Sequence, residues 1–546
     1  MSSLSYFGKK LQHLCSTIFL YLACLCRSTC FLISCLHKSI LLRVNKIFVQ
    51  MFYFIFISLF GFCILRILKP RSVDFTPRNL DLFFTSVSSV TVSSMSTVEM
   101  EVFSNSQLIL ITFLMFIGGE IFTSMVGLHL IRSKFKPWRK DSKIESVISS
   151  TTTSPRNSDF NDDIELDIVV IPDSPKPKSE NDEFQDDFGS SDKQTLKYQS
   201  IKFLGFVTLV YLLVINIIGV SSVLVYLACV SSAKDVLRNK GLKTFTFAIF
   251  TVVSTFASCG FVPTNENMMV FSKNSGLLLI LIPQVLFGNT LYPACLRLCI
   301  KFLGKFSKKR EAKYLLKHSR EIRHLHLLPS QHSRLLVVTV FGFILIQLIM
   351  FCSLEWKSSS LNGLNSYQKI VGSLFQVVNA RHTGETIVDI STVSPAILVV
   401  FIVMMYLPPY TSFIPVKGVG ETPEETVGEK QGRGKVAKNL ILSQLSYIFF
   451  FIVLICITER KRMKDDPLNF NVLNITLEVV SAYGNVGFTT GYSCDRMINR
   501  YTTCKNKTYG FVGKWSDEGK LILIIVMFFG RLKKFNMQGG KAWKLL

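Results

Sequence analysis

Acidic residues are scarce in this 546-residue chain: 37 Asp and Glu stand against 61 Lys and Arg, for a formal net charge of +24. Charged residues of either sign make up only 18% of it, and they are segregated rather than dispersed. Soluble domains spread their charge over the whole surface, so the pattern argues against a soluble globular class. No Walker motif, DKTG-like phosphorylation site or nucleotide-binding loop is present, which argues against ATP-driven pumping. No Ser/His/Asp constellation or metal-ligand cluster converges, so neither an enzyme nor a resident cofactor is expected. The 14 cysteines include no paired CxxC set of the zinc-binding kind. Most of them lie in apolar runs, where they serve as small hydrophobic filler. The Cys-rich stretch LCSTIFLYLACLCRSTCFLISCLHKSILL is broken by Arg27 and shows no small-residue cleavage site. It reads as an interfacial segment or an extension of the first span rather than a cleaved signal peptide.

Apolar runs, by contrast, are abundant. Hydrophobic residues reach 49%, and runs of roughly 20 residues, enough to cross a bilayer core as a helix, alternate with basic connectors. The densest connector, KFLGKFSKKREAKYLLKHSREIRHLHLL from Lys301, lies between two such runs. Others flank the first run (His37, Lys38, Arg43, Lys46) and follow the last (Arg531, Lys533, Lys534, Lys541). Basic residues beside spans orient those connectors toward the cytoplasm, which accounts for the positive charge without a nucleic-acid partner. The expectation is a polytopic protein with both termini cytoplasmic.

A pattern of span, short polar-rich segment and span recurs along the chain. The first spans begin near Phe48, Ile201, Leu335 and Leu440, and the second near Gln107, Ser275, Ser394 and Lys520. Between them stand LDLFFTSVSSVTVSS, KTFTFAIFTVVSTFASCG, YQKIVGSLFQVVNARHTG and NVLNITLEVVSAYGNVG, too short to span and too apolar for ordinary loops. Each reads as a half-helix ending in small or hydroxyl residues. The second spans also share a register: MFIGGEIFTS, VLFGNTLYPA, MYLPPYTSF and MFFGRLKKF each meet a Gly or Pro, the mark of a bend or unwinding. The expected organisation is an N-terminal cytoplasmic segment 1–47, then units at 48–132, 199–304, 333–416 and 438–546. Linkers at 133–198, 305–332 and 417–437 separate the units. The first linker, with Ser154-Pro155 and Ser174-Pro175, has the composition of a disordered segment.

Two spans per unit keep all four half-helices on one face, dipping in from outside. Their C-terminal ends carry the negative pole of the helix dipole, and four around one axis suit a cation. Beyond each end the returning backbone can replace the ion's water shell with carbonyl oxygens, and close backbone approach favours glycine. In register, the positions are Ser94, Gly260, Gly384 and Gly487. The predicted fold is thus all-α and polytopic, with four repeated span–pore-loop–span units around one central cation pore. The expected metal is a transported monovalent cation in the filter, which the family resemblance below implies to be sodium.

The stretches TVSSMSTVEMEVFSN, STFASCGFVPTNEN, GSLFQVVNARHTGETIVD and AYGNVGFTTGYSC resemble the plant HKT transporters of the Trk/Ktr/HKT superfamily. The similarity runs from about Phe48 to the end. The serine in the first loop and glycine in the rest match that family's subfamily 1. The resemblance implies passive sodium transport at the plasma membrane, a role in sodium homeostasis and salt tolerance, and a homodimer with one pore per chain. A potassium transporter or sodium–potassium symporter is the alternative, and a non-conducting membrane sensor a more distant one.

Other residues carry weaker expectations. Asp235 is placed to concentrate cations at the pore mouth, or else to pair with Lys234 or Arg238. Glu99, Glu266 and Glu385 follow their filter segments and either draw cations or brace loops. Arg381 is placed to cap the third half-helix, and His382 has no second ligand nearby. Arg531 falls level with Gly119/Glu120 and Asn289/Thr290 of other units. In the family a basic residue there sits below the filter as an electrostatic barrier, with Glu120 as its counterion; otherwise it anchors the cytoplasmic boundary. Asn506 and Asn474 head glycosylation sequons, although a half-helix at Asn474 competes with glycan attachment. Cys494 and Cys504 are disulfide candidates in an extracellular loop.

Overall fold

The computed structural model describes residues 46–71, 75–134, 190–306, 308–322, 324–411, 444–497, 506 and 510–536. Among these the regular elements are all helical, and the three-part unit recurs four times. Unit 1 comprises a first helix Lys46–Ile67, a short helix Asn79–Val90 and a second helix Asn105–Gly118 continued by Glu120–Lys134. Unit 2 has Ser190–Cys229, then Thr244–Phe256, then Ser275–Gly288 continued by Tyr292–Phe306. Unit 3 has Ser330–Glu355, Ser366–Asn379 and Pro395–Tyr406. Unit 4 has Gln444–Thr458, Val472–Gly484 and Asp517–Asn536. The helix opening unit 2 starts at Ser190, within the stretch whose composition predicts disorder; the rest of that expectation, residues 135–189, lies outside the described residues.

Local chemistry starts several of these helices. Ser104 and Gln107 form a reciprocal capping box on unit 1's second helix, and Asn365 and Gln368 do the same for unit 3's short helix. Asn471 caps the short helix of unit 4 through the Asn474 amide. By length and composition, among the described residues, three helices are able to cross a membrane, or five if each bent pair counts as one span. Large apolar side chains face outward from the first helices, among them Phe52, Phe56, Val338, Phe341 and Phe449. Apolar surface on that scale needs a lipid solvent.

The shared Gly or Pro of the second helices has two roles. The helix bends by 54° in unit 1 and 82° in unit 2, and in unit 3 it ends at Tyr406, just before Leu407, Pro408 and Pro409. In unit 4 it continues unbroken through Gly530, so the expected interruption is absent there. Close packing is what unites the three glycines. A methyl group at Gly118, Gly288 or Gly530 would lie 2.1, 1.9 or 2.0 Å from the carbonyl oxygen of Val90, Phe256 or Tyr483, at the end of the same unit's short helix.

Unit 4 closes back onto unit 1. Lys520 Nζ meets Asp81 Oδ1 at 2.9 Å in a buried ion pair, and Arg78 reaches Asp517 at 2.9 Å nearby. Arg78 also lies 3.2 Å from Asp81, so it is loss of Asp81, leaving the Lys520 ammonium uncompensated, that carries the full cost of about 3–5 kcal/mol. The exposed Arg78–Asp517 contact is worth far less.

Candidate ion-conduction site

The short helices of units 1, 2 and 4 end alike. The amides of Ser93, Cys259 and Val486 donate to the carbonyls of Ser88, Ser254 and Ser481 at 2.8, 2.9 and 3.0 Å. These are the long-range bonds of a Schellman C-cap, and the residue just before each amide is left-handed: Val92 (φ 50°), Ser258 (φ 60°) and Asn485 (φ 48°). Two residues further on, the backbone is left-handed again at Ser94 (φ 53°), Gly260 (φ 91°) and Gly487 (φ 99°). Unit 3 reaches the same end differently. Gly384 (φ 70°) donates its own amide to Asn379 O at 3.1 Å, and the His382 ring, two residues earlier, is held by Thr290 at 2.8 Å.

These four left-handed residues are neighbours in space. A methyl group built on Gly260 would lie 1.5 Å from Thr383 O, and one on Gly384 would lie 2.5 Å from Val486 O and Gly487 C. One on Gly487 would meet Ser94 Cβ at 2.3 Å. Units 2, 3, 4 and 1 therefore follow one another around a ring, three quarters of it without side chains. All four residues line a single cavity with Ser96, Thr264, Asn267, Thr386 and Thr489, on the side where the chain leaves the ring.

The TrkH sequence profile, described as cation transport protein, matches residues 185–414 and 418–537. The chain is 52% identical over 485 residues to the sodium transporter HKT1 of Arabidopsis thaliana, covering 88% of this chain and 91% of that one. It is 46% identical over 506 residues to the cation transporter HKT1;3 of Oryza sativa subsp. japonica, covering 92% of each. The chain belongs to the plant HKT branch of the TrkH cation-transport family. It is a multi-pass membrane transporter of cations and not an enzyme. The solved potassium transporter TrkH from Vibrio parahaemolyticus aligns at 14% identity with a TM-score of 0.48, covering 90% of this chain and 84% of that one.

Within this HKT chain the ring is tethered from behind. The amides of Gly260 and Gly487 donate to Ser254 Oγ and Ser481 Oγ, each at 3.0 Å. Buried Glu478 accepts from Thr489 Oγ1 at 2.5 Å and from the Thr490 amide at 3.0 Å. Buried Glu385 accepts from Thr255 Oγ1 of the neighbouring short helix at 2.5 Å, so it braces two units against each other rather than facing the cavity. Ser481→Ala should lower stability by about 1–3 kcal/mol, the cost of leaving the Gly487 amide buried and unpaired. Thermal unfolding of purified protein in detergent reads this directly; an unchanged midpoint would mean the tether is idle.

The other acids near the ring are mostly braces too. Glu99 accepts from Asn265 Nδ2 at 3.2 Å, joining the loops of units 1 and 2. Lys240 pairs with Glu101 at 2.8 Å and Glu266 at 2.7 Å across the same seam. Burial alone would lower the Lys240 ammonium, but hydrogen bonds and charge from Glu101 and Glu266 outweigh it and raise its pKa. Nothing about Lys240 in the sequence marked it for this role. Asp235 is exposed on the helix Ser231–Asn239, whose buried residues are Ala233 and Leu237, and it does not line the cavity.

On the other side of the ring, Arg531 is 1% exposed, donates to Gly118 O, stacks over Phe54 at 5.5 Å and lies within electrostatic reach of Glu120. It is therefore an interior group, not a boundary anchor. Asn289 is buried at the break of unit 2, with no hydrogen bond to its side-chain oxygen. Arg381 does not cap its own short helix as expected; it donates to Pro408 O at 2.6 Å, because the proline break frees that carbonyl. Asn474 is 6% exposed, and its amide nitrogen donates to Asn469 O at 2.9 Å, which removes the sequon from solvent. Asn506 is exposed and accepts from the Cys494 amide at 2.7 Å. Cys494 is disulfide-bonded, while Cys504 lies outside the described residues.

Proposed function

We propose that the chain carries sodium passively across the plasma membrane, down its electrochemical gradient, through the ring of Ser94, Gly260, Gly384 and Gly487. The observation that supports this reading is the convergence of four left-handed residues, each at the C-terminal end of a short helix, in one ring with almost no side chains. Helix dipoles make such a point negative, and backbone oxygens around it can replace the hydration shell of a cation. The Ser94 side chain narrows one quarter of the ring and adds a hydroxyl oxygen, which favours the smaller ion. The Arabidopsis relative's description as a sodium transporter is in keeping with this. Both termini face the cytoplasm, the chain works as a homodimer in the lipid bilayer, and its role is sodium homeostasis and salt tolerance. The Cys494–Cys504 disulfide and a glycan on Asn506 belong to the extracellular loop. Potassium transport or sodium–potassium symport, motivated by Asp235 at the pore mouth, is the alternative reading; Asp235 is not among the residues that line the cavity.

Two-electrode recording from oocytes expressing the chain, with external sodium and potassium exchanged, tests the proposal. The reversal potential should follow sodium alone. If it follows potassium equally, sodium selectivity is wrong; absence of current from protein shown to be at the surface would remove the transport reading.

A further inference from the structure

The linker between units 2 and 3 is strongly basic, yet a segment near its end is buried. His326, Leu327 and Leu328 are 1%, 2% and 8% exposed. They lie among the segments that follow the shared Gly or Pro of the second helices, on the side of the ring occupied by Arg531. His326 touches or faces all four units there. Its Nδ1 is 2.7 Å from the Tyr410 hydroxyl of unit 3, and its ring stands edge-on to Tyr292 of unit 2 with centroids 5.1 Å apart. Its Nε2 is 4.0 Å from Glu120 Oε1 of unit 1, and Arg531 of unit 4 lies within electrostatic reach. The flanking residues pin the segment in place. His324 Nε2 is 3.4 Å from Ser124 Oγ, and Leu328 O accepts from buried Arg297 at 2.8 Å.

We infer that His324–Leu328 is a plug, with His326 at its tip and Tyr410 as its latch, that closes the conduction path below the ring and must withdraw for ions to pass. The inference deepens the proposed transport function and rests on it. A connector between two spans need not enter the interior, and burying the rings of His324 and His326 there is tolerable only with both neutral. The contacts do not amount to an ion pair. Burial, and then the Arg531 charge, push the His326 ring down to about 3, so it is neutral, and 4.0 Å from Glu120 is too long for a hydrogen bond. The tip of the plug is therefore held by one neutral hydrogen bond to Tyr410 and by aromatic and apolar contact, while the contacts of His324 with Ser124 and of Leu328 with Arg297 anchor its two ends. Those holds are modest in strength and suit a segment that is released repeatedly.

The test uses the full chain in oocytes, with surface protein quantified for each variant. Tyr410→Phe keeps the ring and removes only the latch hydroxyl. Its sodium current should rise by about three- to tenfold, the population shift expected from losing one hydrogen bond. His326→Ala should raise it at least as much. The reversal potential should stay that of the wild type in both, because the ring is untouched; a merely structural role would lower current or surface level instead. In inside-out patches, a charged methanethiosulfonate applied to His326→Cys should block current while sparing the wild type. Wild-type current in Tyr410→Phe together with an unblocked His326→Cys would overturn the plug but leave the transport reading intact. If His326→Ala fails to reach the surface, Tyr410→Phe decides alone. A wild-type chain that passes no sodium current would sink both.

Discussion

Replacing Ser94 by glycine should raise potassium permeability relative to sodium by about tenfold, an effect equivalent to about 1.4 kcal/mol. The reversal potential in mixed sodium and potassium should shift accordingly. Two physical effects combine. Removing the side chain takes away the Cβ that faces Gly487 at this quarter of the ring, leaving backbone alone on all four sides. It also relieves a serine held at φ 53°, a left-handed conformation that costs a non-glycine residue about 1–2 kcal/mol. The variant should therefore be at least as stable as the wild type, so altered selectivity cannot be put down to misfolding. An unchanged permeability ratio at normal surface level would mean that Ser94 does not discriminate, and Asp235→Asn becomes the next substitution to record.

Gly260→Ala should abolish sodium current. Its φ of 91° disfavours any side chain, and the new methyl would lie 1.5 Å from the Thr383 carbonyl oxygen, a backbone atom of the adjacent unit. Neither the ring nor the short helix behind it can yield by that amount, since the Gly260 amide is already fixed to Ser254 Oγ at 3.0 Å. Gly363 supplies the control: its φ is 79°, but a methyl there would meet nothing within 4 Å. Gly363→Ala should bear only the left-handed strain, about 1–2 kcal/mol, and keep its current. Recording both variants beside surface biotinylation separates collision in the ring from strain in general. Normal sodium current in Gly260→Ala would show that the four residues do not approach one another as described.

The four-unit plan and the ring positions were legible in the sequence because one signal repeats. A half-helix ending in small residues, followed by a span with a shared Gly or Pro, is hard to mistake when it recurs in register. The reason for that Gly was less accessible. Gly530 suggested a bend or unwinding, but its helix is unbroken there, and only three-dimensional contact with Tyr483 O shows that closeness is what the position demands. Glu99, Glu266 and Glu385 could be read equally as cation attractors or braces; their partners Asn265, Lys240 and Thr255, all on unit 2 and its approach, decide for bracing. His326 was not legible at all. Its surroundings in the chain are basic and polar, and its burial comes from residues contributed by all four units, none adjacent to it in sequence.

The buried Lys520–Asp81 pair joins residues 439 positions apart, and this separation governs how the protein can be made. At typical elongation rates of about 5–20 residues per second, Asp81 precedes its partner by roughly 20–90 s. Throughout that interval Asp81 has only the neighbouring Arg78, 3.2 Å away, and not yet the buried ammonium of Lys520. Unit 1 can therefore complete its packing around Asp81 only when the last helix arrives. Any chain that terminates early, from a nonsense codon or a ribosome stall before Lys520, lacks the buried contact that closes the last unit onto the first. The order of synthesis thus makes that seam the final one to form.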